Sequence, residues 1–328
     1  MQRTLLWHDG KLQADVSTQS IQNALQDPTV VLWLDLTIDH DPEKYLSTLR
    51  DQLKFSHLTL ESIMEQHERA KLTAGNGYFY LVTHGLGFDT ITGEASTPKL
   101  DIVFGKNFLV TIHQSTMLWL DNVYDEILND EDKQNLIGRG TAYLLHAVID
   151  ALVDSYFPVL DTLDDLIDEL EDSTVNDASN AVQARIFRTK RSLAQMRRVI
   201  SPQVEVANSL IIRTGEFIPT EVEPYFAEVH DHLIRTFEVL DSYRDLMSGL
   251  LDVYLTTVSN RLNQVMKQLT IIATIFMPIT FITGVFGQNF LHAPQVETDR
   301  GFNFWIVLAI MAIITIAQIL YFKFRNWL

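Results

Sequence analysis

Two stretches in the last quarter of the chain carry no charge: Gln268 to Val296 and Gly301 to Phe322. Within the first, Leu269 to Gly287 is almost wholly apolar. A bilayer core takes about 20 apolar residues as helix, and buried core helices rarely avoid charge for so long. The pattern therefore predicts two membrane spans. Trp305 and Tyr321 near the ends of the second run, with Trp327 just beyond, suit the aromatic belt of a bilayer interface. Arg261 and Lys267 precede the first span and Lys323 and Arg325 follow the second, while the short connection carries Glu297, Asp299 and Arg300. The positive-inside bias then places both termini in the cytoplasm and the loop outside. Pro278 falls inside the first span, where neighbouring helices can compensate for the backbone hydrogen bond it removes.

Before the spans the pattern changes twice. The first part reads as mixed α and β. Val30 to Leu36 is an apolar run of strand length, and Tyr78 to Val82 reads as another strand. Leu100 to Phe104 and Phe108 to His113 are joined by Gly105-Lys106-Asn107, a hairpin signal. Asp41-Pro42-Glu43 offers a cap, a first-turn proline and an acid, predicting a helix to about Lys54. From about Tyr143 the period is helical: Leu144, Leu145, Val148, Ile149, Leu152 and Val153 form a stripe that continues through Leu160, Leu163 and Ile167. Between Pro224 and Pro278 no proline intervenes, so a helix from near Tyr225 through the first span would be roughly 90 Å long. A helix of that length needs neighbours, which implies assembly.

Charge sharpens the picture. The chain has 42 acids and 25 bases, a formal net charge of −17. That argues against a nucleic-acid partner, whose phosphates need a basic surface, and favours the gathering of cations. The acids crowd the segment Asp154 to Asp172, and a basic stretch from Arg185 to Arg198 follows a turn at Ser173 to Asn180. The plain expectation is a helical hairpin whose exposed faces pair across the gap. There is no cysteine, which removes disulfides and thiolate chemistry. MQRTLLWHDG holds no apolar run, so no cleaved signal peptide is expected. No Walker, dinucleotide or His-Glu-x-x-His motif occurs, so no enzyme activity is expected and no cofactor. His230 and His232 lie two apart, and such residues on one helix do not share a face.

Steps of three and four through the first span and its approach pick out Asn263, Met266, Thr270, Ala273, Met277, Thr280 and Gly284. These are small, polar or flexible, whereas Ile271, Ile272, Ile275, Phe276, Ile279, Phe281 and Ile282 occupy the rest of the turn. Such a stripe serves equally as a pore lining, which needs several copies of the chain, or as a tight helix–helix seam.

The stretch SGLLDVYLTTVSNRLNQVMKQLTIIATIFMPITFITGVFGQNF, Ser248 to Phe290, and the ending YFKFRNWL resemble the stalk and spans of the CorA magnesium transporter family. The family's Gly-Met-Asn hallmark reads Gly287-Gln288-Asn289 here, between Phe286 and Phe290. A looser likeness runs through YLLHAVIDALVDSYF, Tyr143 to Phe157, to the N-terminal region.

The resemblance implies an α+β cytoplasmic domain, very long stalk helices and two C-terminal transmembrane helices, assembled as a funnel-shaped homopentamer in the cell's inner membrane. Its divisions would be an α/β domain over 1–140, a helical hairpin and connecting helices over 141–222, and a stalk over 223–267. The spans would be 268–287 and 302–322, with an outer loop over 288–301 and a basic tail over 323–328. First spans would line one pore, with Gly287, Gln288 and Asn289 as selectivity filter. Asn263, Met266, Leu269, Thr270, Ala273, Met277, Thr280 and Gly284 would line the conduit, Met266 and Leu269 as its hydrophobic gate. Glu61, Asp150 and Glu228 fall on the family's inhibitory cation positions between cytoplasmic domains, while Ser62 stands where an acid is expected.

The implied cargo is Mg²⁺, with Co²⁺ or Ni²⁺ as further substrates and Mg²⁺ as the regulatory ion. Partners would be the bilayer and further copies of the chain. Gln288 in place of Met, and the absence of an acid directly after Pro294, leave two other readings open. One is a Zn²⁺ transporter like the ZntB branch. The other is a non-conducting sensor or scaffold.

Overall fold

The computed structural model describes residues 2–17, 20–21, 24–38, 48–215, 217–287, 300–325 and 327. Two compact units emerge, Met1–Leu251 and Asp252–Leu328.

The first unit is built on a seven-stranded sheet. Its strands are β1 (Gln2–His8), β2 (Lys11–Ala14), β3 (Val31–Thr37), β4 (Lys71–Ala74), β5 (Phe79–His84), β8 (Lys99–Phe104) and β9 (Phe108–His113). A separate two-stranded ribbon pairs β6 (Gly87–Asp89) with β7 (Glu94–Ser96). The large sheet runs β2-β1-β3-β9-β8-β5-β4, and only β3 and β9 are parallel, with Leu34 opposite Val110. These central strands are buried on both faces, which is why β3 reads Val-Leu-Trp-Leu without polar alternation.

One sheet face, with Leu6, Leu32, Leu34, Tyr80, Val103 and Val110, packs under Ile21, Leu49, Phe55 and Ile63. Ile63 belongs to α1 (His57–Met64), which Ser56 caps by accepting from Thr59 N. The other face carries Leu5, Trp7 and Trp33, and meets Ile127, Ile137 and Leu144. Those three come from α2 (Leu118–Asn129), α3 (Glu131–Ile137) and α4 (Thr141–Asp154).

The helical region therefore begins earlier than the expected Tyr143. Met117, at the start of α2, makes no capping hydrogen bond through its side chain, so the usual sequence signal for a helix start is missing. The predicted strands at Val30–Leu36, Tyr78–Val82, Leu100–Phe104 and Phe108–His113 are present, shifted by a residue or two where they differ. Of the helix predicted from Asp41 to Lys54, residues 41–47 lie outside the described residues, and Thr48–Gln52 forms one wide helical turn.

Two further helices, α5 (Phe157–Asn176) and α6 (Asn180–Arg213), form the predicted hairpin. The turn is tighter than Ser173–Asn180. Buried Thr174 returns its hydroxyl to Leu170 O at 2.7 Å and keeps α5 going, and Ser179 then caps α6 by accepting from Val182 N. Cross-hairpin ion pairing is sparser than expected. Among the described residues one such pair joins the acidic and basic stretches, Arg185 to Glu169 at 2.8 Å, while Arg197 turns instead to Asp241 at 2.8 Å. Tyr156, wholly buried between α4 and α5, donates to His84 O at 2.6 Å and ties both helices to β5.

Helix α7 (Glu223–Phe286) runs for 64 residues without interruption, Pro224 in its first turn and Pro278 within its apolar part. Its last part and α8 (Arg300–Phe324) make up the second unit. There they pack antiparallel: Gln318 Nε2 donates to Thr274 O at 3.0 Å, and Lys267 lies 5.8 Å from the Trp327 ring. Ile271 and Phe322 are the buried residues of this pairing.

Candidate functional site

In the first unit, α4 carries His146, Asp150 and Asp154 at steps of four, and α7 carries Glu228 and His232 at the same step. A step of four stacks side chains on one helix face. The two faces meet because aromatic rings pack between them. His146 lies edge-on to Tyr225 and Phe226 at 5.3 and 5.7 Å, and Phe157 lies 5.6 Å from His232. The result is a cluster in which Asp150, Asp154 and His232 each offer a ligand atom within 4.8 Å of the others. His232 Nδ1 sits 3.9 Å from Asp154 Oδ1, is shielded from solvent, and has no hydrogen-bond partner. His146 Nε2 lies 4.0 Å from Asp150 Oδ1. A cavity of about 400 Å³ opens beside the cluster, with Trp119, Glu126 and Lys133 on its far walls.

The electrostatics describe a site short of positive charge. Burial pushes the Asp150 carboxyl up, and neighbouring Asp154 and Glu228 push the same way against the opposing effect of His146. Burial likewise lowers His146. A divalent cation placed here would reverse the first effect and meet both oxygen and imidazole donors. Oxygen donors suit Mg²⁺, and imidazole suits Zn²⁺, Co²⁺ or Ni²⁺.

Of the predicted cation ligands, Asp150 and Glu228 are thus brought into one electrostatic neighbourhood. Glu61 is not: it is exposed on α1, and no described contact joins it to the cluster within the chain. Ser62 accepts from Lys71 Nζ at 3.0 Å, so a cation already occupies the place where the family pattern has an acid. His146, Asp154 and His232 were not singled out as ligands from the sequence. The signal lay in the step of four, His146-Asp150-Asp154 and Glu228-His232; His230 and His232 are a pair of the wrong spacing.

In the second unit, Asn263, Met266, Leu269, Thr270, Ala273, Met277, Thr280 and Gly284 are all exposed. From Lys267 to Ile282 the shielded positions of the same helix are Lys267, Ile271, Ile275, Pro278, Ile279 and Ile282, which recur at steps of three and four on another face. The stripe therefore lies away from α8. Thr270 and Thr280 donate their hydroxyls to Met266 O and Phe276 O, at 2.8 and 2.9 Å, which satisfies the donors and leaves oxygen lone pairs outward. Gly287 closes α7, its N–H donating to Thr283 O at 2.8 Å. A Cβ on Gly287 would come within 2.9 Å of that same carbonyl, so the backbone there has no room for a side chain. Gln288 and Asn289 lie outside the described residues.

The 64-residue α7, whose apolar end is unburied, and the apolar α8 paired with it are, among the described residues, two helices long and apolar enough to cross a membrane. The family described as CorA-like Mg²⁺ transporter protein matches residues 29–323. The chain is 34% identical over 317 residues to the cobalt/magnesium transport protein CorA of Thermotoga maritima, covering 96% of this chain and 89% of that one. The fold matches the complete CorA magnesium transporter of Methanocaldococcus jannaschii with a TM-score of 0.84 at 21% identity, covering 100% of this chain and 99% of the other. Full-length CmaX follows with a TM-score of 0.74 at 19% identity, covering 100% and 97%. The chain belongs to the CorA-like Mg²⁺ transporter family, and so to the divalent-cation transporters.

Proposed function

We propose that the protein is one subunit of a homopentameric channel for hydrated divalent cations, Mg²⁺ foremost, in the inner membrane. The spans are 268–287 and 302–322, the loop 288–301 is outside, and both termini are cytoplasmic. The carrying observation is the exposed stripe from Asn263 to Gly284 on the face of α7 turned from α8. Two spans cannot enclose a conduit, so this face finds its partners in other copies of the chain. A relative of 34% identity is named for cobalt and magnesium transport, which supports the choice of cargo.

In this reading the ring of Asn289 carbonyl oxygens, with Gly287 and Gln288 beside it, holds the ion by its water shell. Mg²⁺ dehydrates reluctantly, so neutral oxygens contacting its first waters select it without trapping it. The Thr280, Thr270 and Asn263 rings continue the polar path, and Met266, Leu269 and Met277 form the apolar constrictions that close it. The membrane potential drives entry, at about 2.3 kcal/mol per charge per 100 mV. Asp150 and Glu228, completed by Glu61 of a neighbouring copy, fill with cytoplasmic Mg²⁺ and shut the pore. The protein's work is transport, not catalysis.

One observation favours a second reading. His146 and His232 stand among the cytoplasmic acids, and imidazole donors suit Zn²⁺ better than Mg²⁺. Uptake into liposomes, measured in parallel for Mg²⁺ and Zn²⁺, separates the two. Mg²⁺ flux that Asn289→Ala abolishes is the expected result. Zn²⁺ flux alone would establish the second reading. No flux of either ion through well-folded oligomers would leave a sensor or scaffold.

A further inference from the structure

Acid dominates this chain, yet one cavity of the first unit is lined with base. It encloses about 660 Å³, between the loop 65–70 that follows α1 and the stretch of α6 from Gln195 to Pro202. That volume is of the size that holds small-molecule ligands. His67 and Arg69 come from the loop, Arg198 with Gln195 and Ser201 from α6, and His84 from the end of β5. The one carboxylate among the lining residues, Glu68, is already held by Lys71 at 2.8 Å.

Elsewhere the arginines Arg3, Arg185, Arg197 and Arg244 each hold an acid. Arg69 and Arg198 make no ion pair or hydrogen bond among the described residues. Both are solvent-exposed, so water can solvate each; what the cavity adds is that two arginines from separate elements line one space. His84 supplies an independent sign. It is 5% exposed, its ring bonds the Glu68 backbone, and its Nδ1 has no partner. Burial, with Lys99 adding to it, lowers His84 to about 4. At neutral pH the ring is therefore uncharged, and Nδ1 is a buried acceptor left open, which only a hydrogen from a P–OH of a bound anion or from a bridging water would complete.

We propose that this cavity binds a small phosphate-bearing anion, gripped between the guanidinium groups of Arg69 and Arg198 with Gln195 and Ser201 as neutral donors. A planar carboxylate is satisfied by one arginine fork. Donors arriving from two elements instead suit a tetrahedral group with several outward oxygens. Nothing in the transport path uses these residues.

The test is calorimetric titration of the full-length protein in detergent, in metal-free buffer, with pyrophosphate, inorganic phosphate and malonate. Saturable pyrophosphate binding is expected, about tenfold or more weaker in the double variant Arg69→Gln/Arg198→Gln. The double lysine variant, which keeps charge and loses the fork, falls between. Arg191→Gln, an exposed arginine of α6 off the cavity, leaves binding unchanged. Unsaturated heats at millimolar pyrophosphate, equal weakening by Arg191→Gln, or unaltered binding in the double glutamine variant would each overturn the assignment. Malonate binding tighter than pyrophosphate would overturn the phosphate identity.

Discussion

Among the described residues three stretches are long and apolar enough to cross a bilayer, Thr141–Asn176, part of Glu223–Phe286, and Trp305–Phe324, but they treat their apolar side chains in opposite ways. In the first, 44% of the most apolar window is buried within the protein, and in each of the other two only 6%. Leu144, Leu145 and Leu152 vanish beneath the sheet and its neighbouring helices, whereas Ile272, Phe276, Phe281 and Ile316 stand at half exposure or more. Hydropathy alone does not separate a span from a core helix. What separates them is whether the chain itself supplies the apolar surroundings. The first unit does, through α/β packing; the second by itself does not.

The same truncation should therefore cost very different amounts in the two units. Leu145→Ala, at 0% exposure, is expected to lose about 2–5 kcal/mol of stability. Ile272→Ala, at 55% exposure, should lose a small fraction of that in detergent. Denaturant unfolding of both variants measures the contrast. Equal losses would mean that α7 is buried by something other than detergent or lipid, and the distinction between the units would fail.

Charge is distributed by the same rule, and next in size is the effect of removing it. Asp35, 1% exposed, accepts from Arg3 at 2.7 Å and from Thr111, with His113 Nε2 at 3.3 Å. Burial alone would raise its carboxyl, but His113, Thr111 and Arg3 together hold it below the ordinary value. A depressed carboxyl stabilises the fold above the unfolded-state pKa, and that contribution is lost as pH falls through the folded-state pKa. Asp35→Asn should cost about 2 kcal/mol at neutral pH. The gap from wild type should then narrow on acidification below about pH 4. Melting temperatures of both proteins across that range check the sign; a gap that widens would show that the carboxylate is not held by these donors.

Much of this was open to sequence reading, and the exceptions have physical causes. The apolar helical stretches, the long helix and four of the central strands follow from runs of charge-free or apolar residues. The hairpin of β1 and β2 was equally available, because Asp9 and Gly10 both take positive φ, 49° and 76°, as an Asp-Gly turn does. The start of α2 was hidden by its uncapped Met117. Asp150 and Glu228 came from family likeness, yet the histidines that join them depend on which faces of α4 and α7 meet, and no single helix carries that information. Gln288 and Asn289, proposed as part of the outer filter, lie outside the described residues.

The histidine cluster gives the third prediction. His232→Ala should weaken Co²⁺ or Zn²⁺ binding about tenfold while changing Mg²⁺ binding little, because only the softer ions profit from imidazole. Because the Asp150 carboxyl is raised, protons compete with the cation, and affinity for any of these ions should fall as pH is lowered from 7. Titration calorimetry on the metal-free protein reads both effects. A loss of Mg²⁺ and Zn²⁺ affinity in equal measure would assign His232 a packing role against Phe157 instead.

The smallest expected effect lies where the two apolar helices meet. Gln318 donates to Thr274 O at 3.0 Å, while its Oε1 is shielded and unpartnered. In a membrane, such a contact averages about 0.6 kcal/mol, because the separated helices also find partners for their polar groups. Here the orphaned carbonyl offsets part of even that gain, so Gln318→Leu should leave the melting temperature in lipid nearly unchanged. A loss comparable to Leu145→Ala would show that α8 is held to α7 by that one polar contact. The near-neutral result instead assigns the pairing to the fit of Ile271 and Phe322.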